Sequence, residues 1–201
     1  MNKQFSTACE RNREPILETL NEVFADRKHV LEIGSGTGQH AVFFGAALPQ
    51  LIWQTGDLPQ SHPSILAWLQ EAELTNVLPP IVLDMSKAAW ETEVLDTGID
   101  AVFTANTCHI MAWSEVERMF AGLARVLHSG GKLCVYGPFN YDGQFTSAGN
   151  AQFDASLRAQ AAHMGIRDIE AMQKLAAQHG FVMLADHALP ANNRLLVWQR
   201  S

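Results

Sequence analysis

The chain has 201 residues, 47% of them hydrophobic, enough for one domain with a substantial core and short for two of ordinary size. Its 14 basic and 21 acidic side chains leave a net charge of −7, which excludes the basic surface that duplex nucleic acid would need. Every apolar stretch is broken before the roughly 18 residues that a bilayer requires, and the opening MNKQFSTACERNREP lacks an apolar signal core. Cys9, Cys108 and Cys134 are far apart and in no CxxC arrangement, so no disulfide framework and no metal site is expected. The expectation is a soluble cytoplasmic protein, off the membrane, whose partner is a small molecule.

In chain order, Glu14 to Phe24 sets Ile16, Leu17, Leu20, Val23 and Phe24 on one helical face, with Pro15 in the first turn. From Val30 onward, the apolar runs HVLEIG, LIWQTGD, PIVLD, DAVFTAN and KLCVYG alternate with helical patterns, one of them Gln39 to Leu48. That alternation predicts an α/β domain over 1–201 with a mostly parallel sheet, and the nearly continuous hydrophobicity predicts helices on both faces. Trp113 to His128 reads as a helix with Ser114 as N-cap, ended by Ser129-Gly130-Gly131. Pro138 to Gly149 reads as a loop, and Ala151 to His163 and Asp168 to His179 as helices. FVMLADHAL and RLLVWQR, joined by PANN, complete a count of seven strands.

The strongest local signal is the run EIGSGTG, Glu32 to Gly38, directly after the first strand and before a helix. Glycines there let the backbone approach a ligand at the carboxyl end of a parallel strand. A dinucleotide fingerprint needs GxGxxG, but the spacing is GxGxG and Gln39 stands at the third position, so a nicotinamide dehydrogenase is a distant reading.

With Glu32, Gly34, Gly36 and Gly38 in place, the chain resembles the class I S-adenosylmethionine (SAM) dependent methyltransferases, in which an acidic residue stands two positions before GxGxG. It is similar, more narrowly, to a methyltransferase-like family once filed as a domain of unknown function, through ERNREPIL, ANTCHIMAW, YGPF and NAQFDASLR followed by GIRD. The resemblance implies a Rossmann-like fold with strand order 3-2-1-4-5-7-6, the last strand antiparallel. It implies SAM as cofactor, held by Glu32, Gly34, Ser35, Gly36 and Gly38. Asp57 with Leu58 would take the ribose hydroxyls, and Asp84 with Met85 the adenine amine. Asn106 at the end of the fourth strand, and Arg11 and Asn12 folding over from the N-terminal segment, complete the implied cofactor set.

The acceptor is expected to face Asn106 and His109. His109 is either a general base for the attacking group or a positioning residue, since a sulfonium methyl is already activated and alignment supplies much of the catalysis. Cys108 reads as a nucleophile or, more simply, as a buried thiol. Residues 139–180, with Asn140 to Asp168 within them, form an acceptor-side insertion whose polar candidates are Tyr141, Asn150, Asp154, Arg158, Arg167 and Asp168. Either arginine could clamp a carboxylate or phosphate, or bridge to Asp154 or Asp168. Trp113 and Phe139 are either a pocket wall or core. The expected function is methyl transfer to a small-molecule acceptor by in-line displacement. The alternatives are a SAM-binding regulator without turnover and a protein methyltransferase.

Overall fold

Six helices alternate with nine strands in the computed structural model, which describes residues 3–201. In chain order they are α1 (Thr7–Val23), β1 (His29–Ile33), α2 (Gln39–Ala47), β2 (Ile52–Asp57), α3 (His62–Ala72), β3 (Val77–Val82), β4 (Ala101–Ala105) and α4 (Trp113–Val126). There follow β5 (Lys132–Gly137), β6 (Phe139–Asn140), α5 (Ala148–Gln160), β7 (Arg167–Asp168), α6 (Ile169–Gln178), β8 (Phe181–Leu189) and β9 (Asn193–Arg200). Seven strands form one sheet in the order β3-β2-β1-β4-β5-β9-β8, and β6 pairs with β7 apart from it. With those two short strands set aside, this is the expected 3-2-1-4-5-7-6 order. The first five strands of the sheet are parallel, and β9 runs antiparallel between β5 and β8.

Both sheet faces are buried, as the continuous hydrophobicity of the strands requires. Val30, Trp53, Phe103, Tyr136 and Leu195 pack on one face with Ile16 and Leu20 of α1 and Phe44 of α2. Leu31, Val102, Leu133, Leu196 and Trp198 pack on the other with Phe120 of α4 and Met172 of α6. Neighbours in sequence thus take opposite faces, the period-two rule for a pleated strand.

Four boundaries differ from the sequence reading, each for a local reason. Helix α1 starts at Thr7 rather than Glu14, because Ser6 Oγ accepts from the Cys9 backbone N–H at 3.4 Å and caps it. Pro15 consequently sits inside the helix. Strand β3 is Val77–Val82 rather than PIVLD, an edge strand in which Pro79 and Pro80 are tolerated. Side chains of β2 reach its carbonyls, Gln54 Nε2 to Pro79 at 2.7 Å and Thr55 Oγ1 to Leu78 at 2.8 Å. Ala112, not Ser114, is the N-cap of α4, and Glu115 Oε2 accepts from the Ala112 N–H at 2.7 Å. Helix α5 begins at Ala148, capped by Ser147, rather than at Ala151. Among the described residues, no helix is long and apolar enough to cross a membrane.

Candidate functional site

The turn after β1 is pinned to the neighbouring strand. Gly34 and Ser35 donate their N–H groups to the Gly56 carbonyl at 2.8 and 3.1 Å, and Ser35 Oγ accepts from the Gly56 N–H at 3.1 Å. Gly36 has φ +56°, and a Cβ added there would meet only the Gly34 carbonyl at 4.0 Å, so it presents bare backbone to open space. Its N–H donates to Asp57 Oδ2 at 2.7 Å, while Asp57 Oδ1 accepts from the Leu58 N–H at 2.6 Å. The carboxylate that ends β2 is therefore aimed across the glycine turn.

Two cavities meet at this turn. The first, about 470 Å³, lies at the ends of β2 and β3 and is lined by Asp57, Leu58, Asp84, Met85 and by Gln60 and Ser61 just before α3. The second, about 800 Å³, lies against α1 and is lined by Arg11, Asn12, Ser35, His40, His109, Tyr136 and Asn150 among others. Gly34, Gly36, Ala105 and Asn106 belong to both walls. Asn106 is a non-glycine residue at φ +59°, a conformation concentrated at functional sites. Its backbone N–H still donates to Tyr136 at 2.9 Å, so the strained residue directly ends the β4–β5 ladder.

The electrostatics of the two cavities are opposite. Asp57, Asp84 and Glu115 stand in the smaller one without a basic residue. The Asp84 carboxyl is held below its ordinary range, first by Ser86, whose Oγ donates to it at 2.5 Å, and then by its backbone N–H and Lys87. The larger cavity has Arg11 and two histidines and no carboxylate in its wall. Burial, aided by the charge of Arg167, pushes the His109 pKa down to about 4, leaving a neutral ring whose edge meets Phe153 at 5.2 Å between centroids. Such an imidazole takes up a proton poorly and positions by hydrogen bonding. His40 is likewise pushed to about 4, by burial and then Arg13, with its Nε2 2.8 Å from Asn12 Oδ1.

Arg11, Asn12, Gly34, Ser35, Gly36, Asp57, Leu58, Asp84, Met85, Asn106, His109 and Asn150 are thus gathered around the two cavities. Other candidates lie elsewhere. Glu32 is buried below the turn, where its Oε2 accepts from Trp53 Nε1 at 3.1 Å. Gly38, at φ +95°, packs α2 onto α3, and a Cβ would come within 2.9 Å of the Ile65 Cα. Tyr141 donates to Asp186 at 2.7 Å. Asp154 joins Arg158 Nε at 2.6 Å and accepts from the Ile166 N–H at 2.8 Å. Arg167 donates to the carbonyls of Cys108 at 2.9 Å and Met111, binding the turn that carries His109, and its guanidinium lies 5.9 Å from the Trp113 ring. Phe139 is core. Cys108 is buried and its pKa pushed up to about 11, which argues against a nucleophile. Among the described residues, no group of three metal-ligating side chains is present. The sequence reading missed His40, Tyr136, Phe153 and Asn193, whose only signal was that His40 follows EIGSGTG and that the others lie within YGPF, NAQFDASLR and PANN.

Residues 3–200 match the model of a family described as "Protein of unknown function (DUF938)". The fold is that of solved methyltransferases. An O-methyltransferase family protein from Burkholderia thailandensis superposes with a TM-score of 0.81 at 20% identity, over 96% of this chain and 57% of that one. The N,N-8-amino-8-demethyl-D-riboflavin dimethyltransferase RosA from Streptomyces davawensis gives 0.77 at 18%, over 96% and 55%. PigF, solved with S-adenosylhomocysteine (SAH), gives 0.77 at 15%, over 96% and 64%. The chain thus spans 55 to 64% of the length of these three solved structures.

Proposed function

The chain belongs to the DUF938 family, and we propose that this member is a SAM-dependent methyltransferase acting on a small-molecule acceptor. The observation that carries the reading is the pair of cavities joined at Gly34, Gly36, Ala105 and Asn106, acidic on one side and free of carboxylates on the other. The donor set fits the cofactor: a carboxylate at the end of β2 can accept two vicinal hydroxyls, a second after β3 can accept an amine, and the bare turn admits a close ligand. The solved methyltransferases of the same fold add support.

SAM, when bound, supplies a methyl group already activated on a sulfonium. This chain's own part is alignment. In this reading Asp57 and Asp84 fix the donor's orientation, and Asn106 stands at the junction where donor and acceptor would approach. His109, neutral and held by the Arg167-bound turn, orients the acceptor rather than drawing off its proton.

Calorimetric titration with SAM, SAH and NAD tests the reading. SAM and SAH should bind and NAD should not, and D57A should weaken both by roughly 10- to 100-fold, the loss of hydrogen bonds to a charged group. Absence of SAM and SAH binding overturns the proposal. Binding with no SAH release from SAM in a metabolite pool would favour a regulator over an enzyme.

A further inference from the structure

Asn150, near the start of α5, is held so that its side chain has only an acceptor left to offer. The residue is buried, at 7% exposure, and its Nδ2 donates to the Asn192 carbonyl at 3.3 Å and to Thr146 Oγ1 at 2.8 Å. A backbone carbonyl cannot donate, so the amide nitrogen must be the atom that faces it, and the side chain cannot turn over without losing that bond. Both amide hydrogens are thereby engaged. Among the described residues, no donor reaches Asn150 Oδ1, since the residue's further bond runs from its backbone N–H to Ser147 Oγ. Asn150 lines the larger cavity, so a buried amide oxygen is left for what enters there.

One helical turn further on, Phe153 lines the same cavity and stays 40% exposed. Its ring meets that of His109 at 5.2 Å between centroids and 78° between planes, so the two rings form a corner. Both sides of the corner are anchored. The His109 carbonyl accepts from the Gly165 N–H at 2.9 Å, and Asp154, next to Phe153, accepts from the Ile166 N–H at 2.8 Å. A fixed aromatic ring in a cavity wall suits a second ring packed against it.

The sheet separates this corner from the donor's side. Asn192 leads into β9, which lies beyond β4 and β5, three strand spacings or about 14 Å from the end of β1 and its glycine turn. Asp57 and Asp84 lie the other way, at the end of β2 and after β3. A donor fixed by those carboxylates extends from β1 toward β3, which leaves α5 to the acceptor.

We propose that the acceptor is an aromatic molecule bearing a neutral hydroxyl or amino group, with its ring against Phe153 and its O–H or N–H donating to Asn150 Oδ1. The proposal deepens the methyltransferase reading and rests on it for which of the two ligands stands beside α5. A molecule of the same shape without that hydrogen would bury the Asn150 oxygen unpaired, the penalty by which a site built for a hydroxyl rejects the analogue lacking it.

The test titrates the full chain with phenol, anisole and cyclohexanol, with and without saturating SAH, followed by ligand-observed NMR. With SAH present, phenol should bind about tenfold more tightly than anisole, which has no hydrogen to give, and about fivefold more tightly than cyclohexanol, which has no ring face. N150A should erase the preference over anisole and F153L the preference over cyclohexanol, each leaving SAH affinity within about twofold. T146A removes one bond of Asn150 Nδ2 and spares the oxygen, so it should keep the preference over anisole. F153L alters an exposed side chain and keeps the test decisive if N150A does not fold. Equal binding of phenol and anisole, a preference that survives its variant, or a loss in T146A as large as in N150A would overturn the proposal. Displacement of phenol by SAH would assign the corner to the donor and overturn it too. If SAH fails to bind while the preferences still depend on Asn150 and Phe153, the donor reading falls and the aromatic site stands.

Discussion

Glu32, His40 and His109 are buried ionisable groups whose titrations act on stability in opposite directions. Burial raises the Glu32 pKa from 4.5 to about 7, only partly offset by Trp53 and Ser35. The folded chain therefore holds a proton that the unfolded chain has lost, and stability falls as pH rises through that window. The histidines, lowered from 6.5 to about 4, contribute in full above pH 6.5, and their contribution is lost as pH falls toward 4. Each is worth about 3 kcal/mol across its window. E32Q keeps an acceptor for Trp53 and removes the titration. Its stability relative to the parent should improve by about 3 kcal/mol between pH 4.5 and 7.5, measured by urea unfolding at both pH values. A difference that does not change with pH would contradict the buried-carboxylate account. The motif gave the position of Glu32 and its acidity, but nothing in EIGSGTG distinguishes a carboxylate facing a ligand from one packed under the turn against Trp53.

At the level of elements, two glycines of one motif do different work. Gly36 faces open space, so G36A should cost about 1–2 kcal/mol of backbone strain while weakening SAH binding at least tenfold by placing a methyl group in the cavity wall. Gly38 joins α2 to α3, and G38A meets the Ile65 backbone, for a loss of about 2–5 kcal/mol. Thermal melts and calorimetry on the two variants separate these outcomes. R167Q should loosen the turn bonded through the Cys108 and Met111 carbonyls and lower turnover with little change in SAH affinity. The strands and α4 were legible because their apolar spacing reports burial. The first two turns of α1 were not, because Ala8, Arg11 and Asn12 face a cavity, and a helix face that meets a cavity carries no hydrophobic period. Tyr141, Asp154, Arg158 and Arg167 read as site residues because they are polar. Sequence does not tell an arginine that clamps a ligand from one that pairs four residues back or binds carbonyls.

Over the whole molecule, the smaller cavity draws on the ends of β1, β2 and β4 and on the turn after β3, so its ligand should stabilise the entire parallel half of the sheet. SAH at about 100 times its dissociation constant should add about 2.7 kcal/mol and raise Tm by roughly 5–10 °C. An unchanged melting curve at that concentration would mean that the ligand does not bind the folded chain. The strand order was legible only through the family resemblance that the motifs carry, and the sheet follows it. The division of charge between the cavities was not, because it sets Arg11 of α1 against Asp57, Asp84 and Glu115, which stand far apart in the sequence.

Asn106 and the two glycines beside it are a shared wall, and a shared wall makes the two ligands interdependent. Whatever factor a molecule in the smaller cavity imposes on affinity in the larger one must return unchanged in the opposite direction. Under the proposed function, specificity for the acceptor would therefore not be tunable at Asn106 alone: any substitution there would be felt by the donor, and selection acting on one ligand at this position would act on both.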